Sequence, residues 1–142
     1  MIHDDEPSGA DPIASWKAAL RAAPFHNWLD LDIVALSDER LELAMPWRDE
    51  IVSNPRISSV HGGVLASLID LAGFYVLLIH KHRITATATL SVDYHRPATA
   101  GPILASARIV KVGRRLCIAE STIRSAGGDV YASGRGVYLT GE

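Results

Sequence analysis

The sequence predicts an α+β domain in which an antiparallel β-sheet wraps one long helix. Three observations carry that prediction. The longest apolar run extends from His61 to His82, and its interior is apolar on every side, the mark of a helix buried all round. Four β-rich runs follow it, joined by glycine-bearing turns. Two short strand-like runs precede it, so strands and helix are segregated along the chain and not alternated, as α+β folds require.

The elements follow in order. Residues 1–11 hold Asp4, Asp5, Glu6 and Asp11 together with Pro7, Ser8 and Gly9, and read as an acidic, frayed tail. Asp11 before Pro12 is a helix start, an N-cap followed by a proline at the first helical position. The helix predicted from Pro12 to Ala23 sets Ile13, Trp16, Ala19, Leu20 and Ala23 on one face and stops at Pro24. Leu31–Leu36 and Arg40–Met45 read as strands joined by the turn Ser37-Asp38-Glu39. Residues 46–59 show no period and hold Pro46, Asn54 and Pro55, which predicts a loop.

After the helix, Ile84–His95 alternates so regularly that Thr85, Thr87, Thr89 and Ser91 are expected on one face and Ala86, Ala88, Leu90 and Val92 on the other. Ile103–Val110, Leu116–Arg124 and Val130–Leu139 are three further strands, forming two successive hairpins. Residues 12–142 then form one domain, large enough to bury roughly 68–70% of the surface of the unfolded chain.

Charge and cysteine content narrow the function classes. The net charge is −2, and outside the first eleven residues 14 basic residues stand against 12 acidic ones, too weak an excess for a nucleic-acid footprint. The uninterrupted apolar run Leu71–Ile79 is half the ~20 residues that span a bilayer, so no membrane role is expected. The single Cys117 forms no internal disulfide, and no basic region followed by an apolar run marks a secretory signal, so a cytoplasmic setting is expected. His80 and His82, two apart at a helix end, point in different directions, and no His-Glu-x-x-His or cysteine cluster is present, so no metal and no cofactor are expected. Cys117 falls on the inward phase of a strand and reads as packing.

One carboxylate, Asp70, interrupts the apolar helix. Its burial is costly without a partner or a task. His61-Gly62-Gly63 followed by six residues and Asp70, then Val92-Asp93-Tyr94-His95-Arg96-Pro97-Ala98, then Lys111-Val112-Gly113-Arg114-Arg115, resembles the hot-dog-fold acyl-CoA thioesterases of the phenylacetic-acid-degradation (PaaI-like) subgroup. The resemblance covers about residues 50–140 and implies a sheet wrapped on a helix, homodimers pairing into tetramers, and hydrolysis of an acyl-CoA thioester without metal or cofactor. It places the acidic catalytic residue on Asp70 and the carbonyl-polarising backbone N–H on Gly62. The amide that orients water or substrate falls on Asn54, and the hydroxyl beside the carboxylate on Thr87. His61 and Gly63 flank that donor, and Arg96, Lys111, Gly113, Arg114 and Arg115 are expected to receive the phosphates of coenzyme A.

The residue types suit this chemistry. Gly62 at a helix N-terminus has an unpaired N–H backed by the helix dipole, and lacks a side chain that would keep an acyl group away. A carboxylate in apolar surroundings suits proton transfer near neutral pH, and could instead attack the carbonyl to give an anhydride. Eight residues separate Gly62 from Asp70, roughly 12 Å along one helix, so the pair cannot serve one carbonyl within one chain. A site shared between two subunits follows, Gly62 and Asn54 of one facing Asp70 and Thr87 of the other.

Each residue also has a structural alternative. Asp70 could bond only a neighbouring strand, Gly62-Gly63 could serve only a tight turn, Asn54 could be a turn residue before Pro55, and Arg114-Arg115 could be a solvated hairpin tip. Two other functions fit the same fold: an acyl-thioester hydratase or dehydratase, for which His61 would be recruited, and a non-catalytic acyl-CoA sensor. Trp47, Phe74 and Tyr75 are candidates to line the acyl pocket.

Overall fold

The structure, a computed structural model, describes residues 11–141. Apart from Asp11, the expected acidic tail lies outside the described residues. Asp11 caps α1 (Pro12–Arg21), its carboxylate accepting from the N–H groups of Ile13 at 3.0 Å and Ala14 at 3.3 Å. The helix ends two residues before the predicted Ala23. Pro24, read as a stop, instead opens a second helix, α2 (Pro24–Trp28), because proline at the first helical position gives up no hydrogen bond.

β1 (Asp32–Ser37) and β2 (Arg40–Met45) form the expected hairpin. The predicted loop over residues 46–59 holds more structure than its lack of period suggests: a 3₁₀ turn (Asp49–Ile51) and a two-stranded ribbon of β3 (Val52–Asn54) and β4 (Ser59–Val60). Strands of three and two residues are too short to carry a period. The ribbon delivers the chain to α3 (Gly62–Ile79), where the His61 N–H donates to Ile51 O at 2.8 Å. β5 (Ile84–Tyr94), β6 (Ile103–Val112), β7 (Leu116–Ser125) and β8 (Val130–Thr140) follow.

Six strands make one antiparallel sheet in the order β1-β2-β6-β7-β8-β5, with α3 packed across its inner face. The inward phases of β6 and β7 carry Ala105, Ala107, Cys117 and Ala119, all buried, and these small side chains let Leu68, Ile69, Ala72 and Val76 of α3 come close. By length and composition α3 could span a bilayer, but 67% of it is buried within the fold.

Two sequence expectations fail at positions that matter for the site. Burial of α3 is not all round: Gly63, Ser67, Asp70 and Phe74, spaced four, three and four apart, form a stripe left open along one face. The strict alternation of β5 is also broken. Its register against β8 runs Thr87↔Tyr138 and then Thr89↔Val137, so Ala88 is an extra residue, and a second bulge lies between Ile84 and Ala86. Thr87 therefore faces the helix together with Leu90 and Val92, while Thr89 opposes Val137 on the outer face.

Candidate active site

The stripe on α3 and the bulge in β5 meet at Asp70. Thr87 Oγ1 donates to Asp70 Oδ1 at 2.7 Å, and Oδ2 has no partner among the described residues. Asp70 is half-buried, on the wall of a cavity of about 320 Å³. Leu71, Phe74, Tyr75 and Leu78 continue that wall along α3, and Ala23 and His26 close it from the α1–α2 corner. Trp47 is not among its lining residues and packs instead against Gly101.

The helix turn that carries Asp70 is pinned from the sheet. Tyr138, wholly buried, donates its phenol to Asp70 O at 2.9 Å, and buried Ser121 donates to Ile69 O at 3.2 Å. Burial, and after it the nearby Asp70 charge, push the Tyr138 phenol well above its ordinary range, so it remains a protonated donor. The Tyr138 ring lies in a notch that two glycines leave open, since a Cβ at Gly73 or at Gly136 would stand 2.2 Å from its oxygen. The sequence reading missed Tyr138. The signal was Gly134-x-Gly136-x-Tyr138, because alternate glycines inside a strand mark a close approach on one face.

At the N-terminus of α3 the donors sort themselves. His61 Nδ1 accepts from the Gly63 N–H at 2.8 Å, while the Val64 and Leu65 N–H groups turn to His61 O. Gly62 is left as the first-turn N–H without a partner among the described residues, backed by an 18-residue helix. Tyr94 lies over it, its hydroxyl donating to Gly62 O at 2.7 Å. The structure keeps Gly62 and Asp70 on one continuous helix, so within one chain they stay at the spacing that the rise dictates.

Asn54 Oδ1 accepts from the Arg56 N–H at 3.1 Å, an Asx turn that occupies its oxygen. Lys111, Gly113, Arg114 and Arg115 gather at the β6–β7 hairpin, where the Gly113 N–H closes the turn on Leu116 O at 2.9 Å. A Cβ on Gly113 would stand 2.5 Å from that same oxygen. Arg96 is not brought together with them. It lies beyond the far end of β5, paired to Asp129 at 3.1 Å, roughly 35 Å away by the rise of an 11-residue strand. Among the described residues no group of three or more His, Cys, Asp or Glu side chains is placed to hold a metal.

Comparison with known proteins agrees with this geometry. Residues 58–132 match the family model described as the thioesterase superfamily. A protein of Halobacterium salinarum named as an esterase is 31% identical over 102 residues, covering 68% of this chain and 67% of its own length. The medium/long-chain acyl-CoA thioesterase YigI of Escherichia coli is 25% identical over 133 residues, covering 83% and 86%. Among solved structures, a thioesterase-superfamily protein at 33% identity superimposes with a TM-score of 0.85 over 91% of this chain and 98% of its own. PaaI of the E. coli phenylacetic acid degradation operon shares the fold, at 23% identity and a TM-score of 0.78, over 91% and 94%. With the six-stranded antiparallel sheet wrapped around α3 in the hot-dog manner, the chain belongs to the thioesterase superfamily.

Proposed function

We propose that this protein hydrolyses acyl-CoA thioesters to a free carboxylic acid and coenzyme A. The observation that carries the reading is the Thr87–Asp70 hydrogen bond on the cavity wall, which fixes one carboxylate oxygen and leaves the other for the reaction. The acyl-CoA activity named for the E. coli relative supports the substrate class.

In the general-base form, Asp70 takes a proton from water as the water oxygen bonds to the thioester carbon. The carbonyl oxygen, now negative, accepts from the Gly62 N–H. The intermediate collapses, the C–S bond breaks, and the coenzyme A thiolate recovers the proton from Asp70. In the covalent form an Asp70 oxygen attacks the carbonyl carbon, expelling the thiolate and leaving a mixed anhydride that water then cleaves.

Gly62 and Asp70 serve one carbonyl only when two copies supply them. We therefore read the unit as a homodimer, paired into a dimer of dimers, with Gly62 and Asn54 of one copy facing Asp70 and Thr87 of the other. β5 forms one edge of the sheet, and its 11 residues offer backbone groups for pairing with a second copy. Lys111, Arg114 and Arg115 are assigned to the coenzyme A phosphates. The hydratase reading would recruit His61, whose Nδ1 is taken up in capping α3 by accepting from the Gly63 N–H.

The test is thiol release over a panel of aryl, short-chain and long-chain acyl-CoAs by wild type and Asp70→Asn. Loss of roughly 10²- to 10⁴-fold in the variant is expected. Full activity in Asp70→Asn, or loss of enoyl absorbance without thiol release, overturns the assignment.

A further inference from the structure

The cavity beside Asp70 contains a polar group to which the thioesterase reading gives no task. His26 comes from α2, a helix of five residues, and is half-buried on the cavity wall. Its Nδ1 lies 3.1 Å from Leu20 O. A carbonyl oxygen only accepts, so Nδ1 carries the hydrogen, and in the neutral ring Nε2 bears a lone pair. Nε2, the other nitrogen of this cavity-lining ring, has no hydrogen-bond partner among the described residues. The ring is held edge-on to Tyr75, centroids 5.6 Å apart at 80°. Tyr75 also lines the cavity, and its phenol makes no hydrogen bond among the described residues. Leu71, Phe74 and Leu78, which share the wall, are apolar, so this pair is a polar station distinct from Asp70 and Thr87.

We infer that His26 is a specificity-determining residue that offers a hydrogen-bond acceptor to the acyl group, favouring acyl chains with a distal hydroxyl over plain hydrocarbon chains of the same length. The inference rests on the thioesterase reading, with the thioester carbon held at Asp70. Tyr75 follows Asp70 by five residues, about 7.5 Å along α3, about the reach of a six-carbon chain. In an all-apolar pocket a hydroxyl would lose its water without replacement, and an acceptor at that depth offsets the loss.

The experiment measures kcat/KM by thiol release for hexanoyl-CoA and 6-hydroxyhexanoyl-CoA with wild type, His26→Asn and His26→Phe. Asparagine keeps a donor where Nδ1 stands, for Leu20 O, and removes the distal acceptor. Phenylalanine keeps the ring against Tyr75 and removes both nitrogens. In both variants the hydroxylated-to-plain ratio of kcat/KM should fall about threefold to tenfold. An unchanged ratio, an equal loss on both substrates, or a fall in one variant alone overturns the inference and leaves the thioesterase reading standing. Release of thiol from neither substrate by wild type removes that reading, and this inference with it.

Discussion

Substituting Gly73 by alanine tests whether Tyr138 holds the turn that presents Asp70. In an exposed helix interior this change would stabilise by about 1 kcal/mol, because glycine is the more flexible residue. Here the new Cβ would stand 2.2 Å from the Tyr138 oxygen and 3.0 Å from Cζ. Tyr138 has no solvent to retreat into, and Gly136, behind the same oxygen, belongs to its own strand. Pushing the ring out of the notch costs about 1–3 kcal/mol in overpacking. A further ~1–3 kcal/mol follows if the phenol, which now donates to Asp70 O, is buried without a partner. Against the helix gain, Gly73→Ala should destabilise by about 1–5 kcal/mol. Tyr138→Phe alone should cost about 0.5–1.5 kcal/mol, because Asp70 O lies mid-helix and keeps its place in the helical ladder. In the double variant the clashing oxygen is gone, so the two costs should fall short of additivity by about 1 kcal/mol or more. Urea denaturation of the four proteins gives the cycle. A Gly73→Ala protein as stable as wild type, or strict additivity, would refute the reasoning.

Two further outcomes follow from the site. Thr87→Val removes a charge-assisted bond of 2.7 Å to Asp70, worth about 1.5–3 kcal/mol, and should lower kcat for acyl-CoA about tenfold or more with little change in KM. An unchanged kcat would detach Thr87 from the chemistry. Arg114→Ala together with Arg115→Ala should raise KM for acyl-CoA and leave small thioesters lacking the nucleotide almost unaffected, and equal loss on both would sink the phosphate assignment.

The long helix, the hairpins and the antiparallel sheet were legible because each runs over several periods of its own repeat. α2 was not, because five residues after a proline make little more than one turn, and the same Pro24 that stops one helix starts the next. His26 was lost with it, since nothing in the sequence near it announces a cavity. Asp70 stood out as the one charge in an apolar run, but its openness did not, because Gly63, Ser67 and Phe74 do not read as a polar stripe. Thr87 lies beside Asp70 as the resemblance implies, but its grouping on one face with Thr89 and Ser91 was misread, because side-chain alternation assumes an unbroken ladder and only the pairing with β8 exposes the extra residue.

That extra residue, Ala88, acts as a phase shift in the strand. Were Ala88 paired in an unbroken ladder, the period that sends Leu90 and Val92 into the core would turn Thr87 outward, and core packing and the hydroxyl beside the Asp70 carboxylate would compete for one face of β5. With the bulge, the two halves of the strand are decoupled: substitutions that repack residues 90–92 need not disturb the aim of Thr87. The bulge itself is the constraint that remains. Deleting Ala88 would bring Thr87↔Tyr138 and Thr89↔Val137 together in an unbroken ladder with Thr87 still turned to the helix, whereas pairing Ala88 into the ladder would slip the N-terminal half by one and turn away the hydroxyl that holds the Asp70 carboxylate.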